Sequence, residues 1–160
     1  MNDQIAAITR YQPGQKVTKK ITQKIVLVGG CFDILHFGHI EFLQRAKEHG
    51  DFLIVALEPD EKISAYKHRN PTHTHYERAH NLLALRSVDH VLLLPTLKTF
   101  DDYCTLVQTI QPDIIAITED DPQQENKKQQ AAHAGAHVVI VTERISDFSS
   151  SLIYNKIKND

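Results

Sequence analysis

From Lys24 onward, short apolar runs alternate with stretches whose apolar residues recur at helical spacing. Ile25-Val26-Leu27-Val28 is a continuous apolar run of the kind that forms a strand buried on both faces. Gly29 and Gly30 end it, and a helix is expected from about His39, with Ile40, Leu43 and Ala46 on one face and Gly50 as its stop. Phe52 to Leu57 is a second buried strand. A polar stretch from Pro59 to His75 reads as a loop, followed by a helix carrying Ala79, Leu82 and Leu83. Val91 to Leu94 is a third strand, and Phe100, Tyr103, Val107 and Ile110 fall at helical spacing. Asp113 to Thr118 and Val138 to Val141 are the fourth and fifth strands, and a last short helix begins near Ser149 or Ser150. Residues 1–23 are polar, contain Pro13 and Gly14, and read as a loose N-terminal arm ahead of a domain over 24–160.

Regular strand–helix alternation with continuously apolar strands predicts a parallel sheet with helices on both faces. The expectation is a Rossmann-like three-layer α/β/α domain around a five-stranded parallel sheet. Ligands of such sheets bind beyond the carboxyl ends of the strands. That directs attention to the residues after Val28, Leu57, Ile117 and Val141.

Bulk properties narrow the function. The 160 residues suit one domain with a real core. Eighteen Lys and Arg against twenty Asp and Glu leave a net charge of −2, which argues against a general nucleic-acid or membrane-surface binder. Two cysteines, Cys31 and Cys104, do not make a disulfide framework. No apolar run approaches the roughly 20 residues of a membrane span, and the N-terminus lacks the order of a signal peptide. A cytoplasmic protein with reduced thiols is expected.

The chemistry concentrates after the first strand, in Gly29-Gly30-Cys31-Phe32-Asp33-Ile34-Leu35-His36-Phe37-Gly38-His39. Glycines at a strand end let the backbone approach a ligand, and a helix N-terminus favours phosphate through its N–H groups and partial positive charge. His36 and His39 can donate to one phosphate from adjacent positions, and Gly38 leaves room for it. This segment resembles the HxGH signature of the cytidylyltransferase-like nucleotidyltransferases, a superfamily that includes glycerol-3-phosphate and ethanolamine-phosphate cytidylyltransferases, heptose-phosphate adenylyltransferases and archaeal FAD synthetases. The resemblance covers about Lys24 to Lys158. Glu77-Arg78 resembles the family's ER-containing helix, and Arg144 to Ser151 its late arginine-led, serine-rich signature.

The resemblance implies in-line transfer of a nucleotidyl group to a phosphorylated small molecule, with pyrophosphate released. His36 and His39 would stabilise the α-phosphate, and Lys67 would neutralise charge developing there. Gly29, Gly30, Cys31, Phe32, Gly38 and Thr118 would line the nucleotide. Arg78, Arg144, Ser149 and Ser150 would hold the departing pyrophosphate. Mg²⁺ would bridge phosphate oxygens, largely on water and nucleotide ligands, with no protein metal site; His68, His73, His75 and His80 read as a solvated group. The donor is CTP or ATP, with CTP favoured by the late motif. A non-catalytic nucleotide-sensing module is the rival, suggested by Thr118-Glu119-Asp120-Asp121 where many relatives carry a glycine. The resemblance further implies a homodimer, and the Pro59–His75 segment, with Lys62, Lys67 and Arg69, is expected to close over the nucleotide as a lid.

Overall fold

The computed structural model describes residues 7–14, 22–143 and 149–159. Strands β1 (Ile8–Arg10), β2 (Ile25–Gly30), β3 (Phe52–Leu57), β4 (His90–Leu93), β5 (Ile114–Thr118) and β6 (His137–Thr142) form one sheet in the order β1-β4-β3-β2-β5-β6. All of its pairings are parallel. Helices α1 (Phe37–Lys47), α2 (Asp60–Lys67), α3 (His75–Leu83), α4 (Phe100–Ile110), α5 (Gln124–Ala134) and α6 (Ser150–Asn159) connect and follow the strands.

Alternate residues of a strand face opposite sides, and the core divides accordingly. Val26 and Val28 of β2 pack with Leu53, Val55 and Leu57 of β3 against Leu43 and Ala46 of α1 and Leu82 of α3. Their neighbours Ile25 and Leu27 join Ile54, Ile115 and Ile117 against Leu106, Val107 and Ile110 of α4 and Ala131 of α5. This double burial is why the strands read as unbroken apolar runs. α1 ends at Lys47 with Glu48 as its C-cap, two residues before the expected stop at Gly50, which instead lets the chain pass close under β2: a Cβ there would lie 2.6 Å from the Lys24 carbonyl oxygen.

Aspartates finish the amino ends of the strands. Asp51 accepts the Lys24 N–H at 2.8 Å, Asp113 the Ile25 N–H at 2.7 Å and Asp89 the Leu53 N–H at 2.7 Å. Capping boxes start two helices, Thr74 with Glu77 for α3 and Thr99 with Asp102 for α4. The carboxyl ends of the strands lie at the opposite edge and carry the glycines.

Three expectations need correction. The sheet has six strands, not five. The sixth, β1, lies within the segment read as an arm, and only three residues long, it is too short for a periodic signal. The first helix begins at Phe37, two residues earlier than expected. The stretch after β3 is not a plain loop: α2 fills its first half, started by Pro59 with Asp60 and Glu61 in the first turn, where acidic side chains oppose the helix dipole favourably. The charge density of α2 disguised its single buried anchor, Ile63.

Candidate active site

The strand order reverses at β2: the chain moves from it to β3 and β4 on one side, then crosses to β5 and β6 on the other. The carboxyl ends of β2 and β5 therefore diverge around a crevice. A cavity of about 210 Å³ occupies it, lined by Gly29, Gly30, His36, His39, Thr118 and Thr142 among others. Cys31, Phe32, Gly38, Phe42, Asp121, Lys127 and Glu143 complete the lining.

The turn out of β2 is sterically exacting. Phe32 adopts a left-handed backbone with φ 45°, an unfavourable conformation for a non-glycine residue. Its ring folds beneath Gly30, where a Cβ would approach it to 2.8 Å, and lies tilted against the His39 ring with centroids 5.1 Å apart. Gly29 is under no such pressure, since a Cβ there would meet nothing nearer than the Ala56 oxygen at 3.9 Å. Gly30 is thus the glycine that the turn requires.

His36 is the N-cap residue of α1; its own side chain makes no capping bond, and no carboxylate lies in the first turn. A helix N-terminus attracts an anion. The His36 and His39 rings stack, with centroids 3.7 Å apart and planes 22° from parallel. Burial pushes the His36 imidazole below its ordinary range, and Lys67 adds to the effect. His39 is pushed down to about 3 by burial, His36 and Lys67, against a hydrogen bond to the Ile34 backbone. Both rings are therefore neutral at pH 7, which allows two imidazoles to stack in van der Waals contact. Lys67 closes α2 and acts on both of them, so the sequence-predicted trio shares one electrostatic neighbourhood.

Asp33, 1% exposed, pins the segment opposite. It accepts the Thr72 N–H at 2.8 Å and the His73 N–H at 3.2 Å and pairs with Arg69 at 2.7 Å. Burial works to raise its carboxyl, but these partners outweigh it and hold the group below its usual range. The Arg69 guanidinium also lies 4.3 Å from the centre of the Tyr154 ring on α6. The stretch expected to close over the nucleotide is a helix followed by a loop bonded to Asp33. Arg69 has a carboxylate partner, and Lys62 donates to the Tyr103 hydroxyl at 3.1 Å.

Arg78 departs from its expected place among the phosphate ligands. It is 0% exposed and lines neither cavity of the site. Its guanidinium donates to the Cys31 carbonyl at 2.5 Å, the His73 carbonyl at 3.2 Å and Asp60 at 2.7 Å. These bonds brace the β2 turn, the pinned loop and α2 against one another. Ser149 accepts the Leu152 N–H at 3.1 Å, which caps α6. Arg144 lies outside the described residues, as does the Ser150 side chain. Cys31 is no activated nucleophile: burial first and then Glu58 push its thiol up, against Lys67, Arg78 and Lys62. Asp121 is neutralised by Lys127 at 2.6 Å, which relieves the clash between this carboxylate and a bound anion.

A second cavity, of about 560 Å³, lies on the α4–α5 side and shares Gly29, Gly30, Cys31, Thr118, Asp121 and Lys127 with the first. Its far wall carries Glu58, Tyr66, Phe100 and Tyr103, which the sequence did not single out for the site, together with Lys62 of the expected lid. One signal was available for Glu58: it immediately follows β3, at a strand's carboxyl end. The same signal marks Thr142 and Glu143 at the end of β6.

The sheet topology and the cleft at its point of reversal place the protein among Rossmann-like three-layer α/β proteins. A family model described as cytidylyltransferase-like matches residues 27–158, and the chain belongs to that family of nucleotidyltransferases. It is 50% identical over 95 residues to the FAD synthase of Thermococcus kodakarensis, a stretch that is 59% of this chain and 62% of that protein. It is 35% identical over 145 residues to the bifunctional protein HldE of Campylobacter jejuni subsp. doylei, 88% of this chain and 29% of that one. The chain therefore spans under two thirds of the first of these relatives and under a third of the second. The crystal structure of the lipopolysaccharide core biosynthesis protein from Thermoplasma volcanium GSS1 superposes with a TM-score of 0.61 at 28% identity, over 76% of this chain and 97% of that one.

Proposed function

We propose that the protein transfers an adenylyl group from ATP to a phosphorylated small acceptor and releases pyrophosphate. The observation that carries this is the stacked, neutral His36–His39 pair at the start of α1, lining the smaller cavity. In the reaction, an acceptor phosphate oxygen forms a bond to the α-phosphorus as the bond to the bridging oxygen breaks, and the electrons leave with pyrophosphate. No protein nucleophile is needed, so catalysis is positioning and charge stabilisation. His36 and His39 donate to the α-phosphate, Lys67 offsets the growing charge, and Gly30 and Gly38 let the nucleotide lie against backbone. Mg²⁺ would come with the triphosphate and offset its charge, held largely by phosphate oxygens and water.

CTP was favoured from the late motif, but residues 144–148 of that motif lie outside the described structure. ATP is supported by the likeness to FAD synthase, whose named product contains an adenylyl group. Pyrophosphate release measured over ATP, CTP, GTP and UTP, each with a panel of phosphorylated acceptors, tests the reading. Release with ATP and one acceptor class is expected; release with CTP alone would replace the donor, and none with any pair would end the proposal. Pairing as a homodimer is part of the same reading, by likeness to the family; sedimentation should find twice the chain mass.

A further inference from the structure

The last helix is held unlike the others. Helices α1 to α5 each bury at least one side chain. In α6 no described side chain is buried: Leu152 and Ile157 are 46% and 69% exposed, and Ile153 and Tyr154 are half-buried. A helix of ten residues is too short to stand on its own propensity, and helices of that length are ordinarily held by an apolar face against the core. α6 therefore depends on a small number of contacts. Through Tyr154 it meets the Arg69 guanidinium, whose central carbon lies 4.3 Å from the ring centre.

Arg69 is itself firmly placed. Its side chain pairs with Asp33 at 2.7 Å and donates to the Asn70 carbonyl at 2.9 Å. The donors of a guanidinium lie in its plane, so its edge can serve a carboxylate while a face receives an aromatic ring. Asp33 belongs to the turn after β2 and also holds the Thr72 and His73 N–H groups. Arg69 follows Lys67, the last residue of α2, by two positions, and Lys67 acts on both stacked histidines. On the other side of the contact, Tyr154 lies four residues into α6 from Ser150, about 6 Å along the helix axis. Ser149, just ahead, caps the helix. The stack therefore stands about one turn from the start of α6 and two residues from Lys67, and Asp33 ties it to the β2 turn.

We infer that Tyr154 is a positioning residue: by lying on the Arg69 guanidinium, its ring seats α6 and sets Ser149 at a fixed distance from Lys67 and the histidine pair. The inference rests on the proposed nucleotidyl transfer, with the α-phosphate at the histidines and the departing pyrophosphate at Ser149. In-line displacement needs the leaving group opposite the attacking oxygen, so a helix that drifts by about 1 Å misaligns the bond that breaks. Tyr154 itself touches no substrate. Its ring matters and its hydroxyl does not, because the face of the ring carries the negative potential that attracts the cation.

Tyr154→Leu and Tyr154→Phe in the full chain separate the ring from its bulk and its hydroxyl. Calorimetry with Mg²⁺ and either ATP or AMP should show ATP weakened about tenfold in Tyr154→Leu, with AMP within about twofold of the parent and Tyr154→Phe restoring the ATP affinity. Pyrophosphate release should follow the same order, with a raised KM for ATP, an unaltered KM for the acceptor and recovery in Tyr154→Phe. The chain contains no Trp, so Tyr154→Trp supplies a single indole at the stack. Its emission should be shielded from acrylamide. Adding Arg69→Lys, which keeps a charge for Asp33 but offers no flat face, should expose it. Equal weakening of ATP and AMP in Tyr154→Leu, or a Tyr154→Phe variant as poor as Tyr154→Leu, would overturn the inference. An indole freely quenched with either Arg69 or Lys at that position would overturn it as well. Release of no pyrophosphate from any donor and acceptor would instead count against the transfer reaction, and calorimetry and quenching would still decide the role of Tyr154.

Discussion

The two cavities meet along the ends of β2 and β5 and are built on opposite plans. The smaller one is made mostly by consecutive residues, from Gly29 to His39, and presents glycines, a helix N-terminus and neutral imidazoles. The larger one draws single side chains from the ends of β3 and β4 and from α2, α4 and α5. A local plan suits a ligand part that never changes, such as a phosphate chain, because one turn geometry serves every substrate. A dispersed plan suits the part that varies, because each wall can be altered without disturbing the others. Residues of the first cavity should govern the rate for any substrate pair, and those of the second should govern which acceptor is used.

The largest effect is expected where the two plans share a support. Arg78 carries a buried charge braced by Asp60 and two carbonyls. Arg78→Met takes from Asp60 its ion-pair partner and from both carbonyls their donor, and should cost about 3–5 kcal/mol of stability. Denaturant unfolding measures it; a normal midpoint with selective loss of triphosphate binding would instead return Arg78 to the phosphate.

Next come the histidines. His36→Ala or His39→Ala should lower kcat by about a hundredfold or more for every acceptor, with the acceptor KM little changed. A variant with near-normal kcat would remove that histidine from the chemistry, and a loss confined to one acceptor would dissolve the contrast between the cavities.

The same pair gives a pH dependence. Folded His39 holds its proton far more weakly than its ordinary value of 6.5, and His36, His75 and His90 are lowered too. Between about pH 6.5 and 3 the unfolded chain binds more protons, so stability is complete above that window and falls as pH drops through it. Thermal unfolding of the ligand-free protein should show this slope, and His39→Gln should flatten it. An unchanged slope in that variant would mean that the other histidines carry the effect.

The smallest effect concerns Ser149. Ser149→Ala removes the α6 cap and should cost about 1 kcal/mol. If the serine also serves the pyrophosphate end, calorimetry will show ATP weakened more than AMP; equal affinities to the parent for both would leave the cap as its whole role.

Legibility followed the same division. β2, β3, β4 and β5 announced themselves as apolar runs because each is buried along most of its length, β6 read as one although Ile140 on it is 49% exposed, and GGCFDILHFGH was readable because its chemistry is contiguous. The hydrogen-bonded group of Glu58, Tyr103 and Lys62 on the far wall of the larger cavity was not, since its members are separated by up to 45 residues and each looks ordinary alone. Arg78 was misplaced for a related reason: a motif shows that an arginine stands at a helix start, but only the position of Asp60 and the Cys31 carbonyl shows where its charge is spent. The pinned loop was hidden likewise, because Asp33 and Arg69 lie far apart in sequence and no helical spacing links them.

The short strand β1 bears on solubility. It lies along β4, with the Val91 N–H bonded to the Ala7 carbonyl at 2.8 Å and the Tyr11 N–H to the Leu93 carbonyl at 2.9 Å, and Tyr11 is buried beside it. Without it, His90–Leu93 would offer a row of free backbone donors and acceptors flanked by Val, Leu and Leu, the kind of margin that recruits a strand from another molecule. Residues 7–11 therefore act as a guard against aggregation, independent of any role in chemistry. A chain cut back to Lys24 should keep its cavities yet precipitate or form higher-order species as concentration rises, and light scattering beside the full chain would show it.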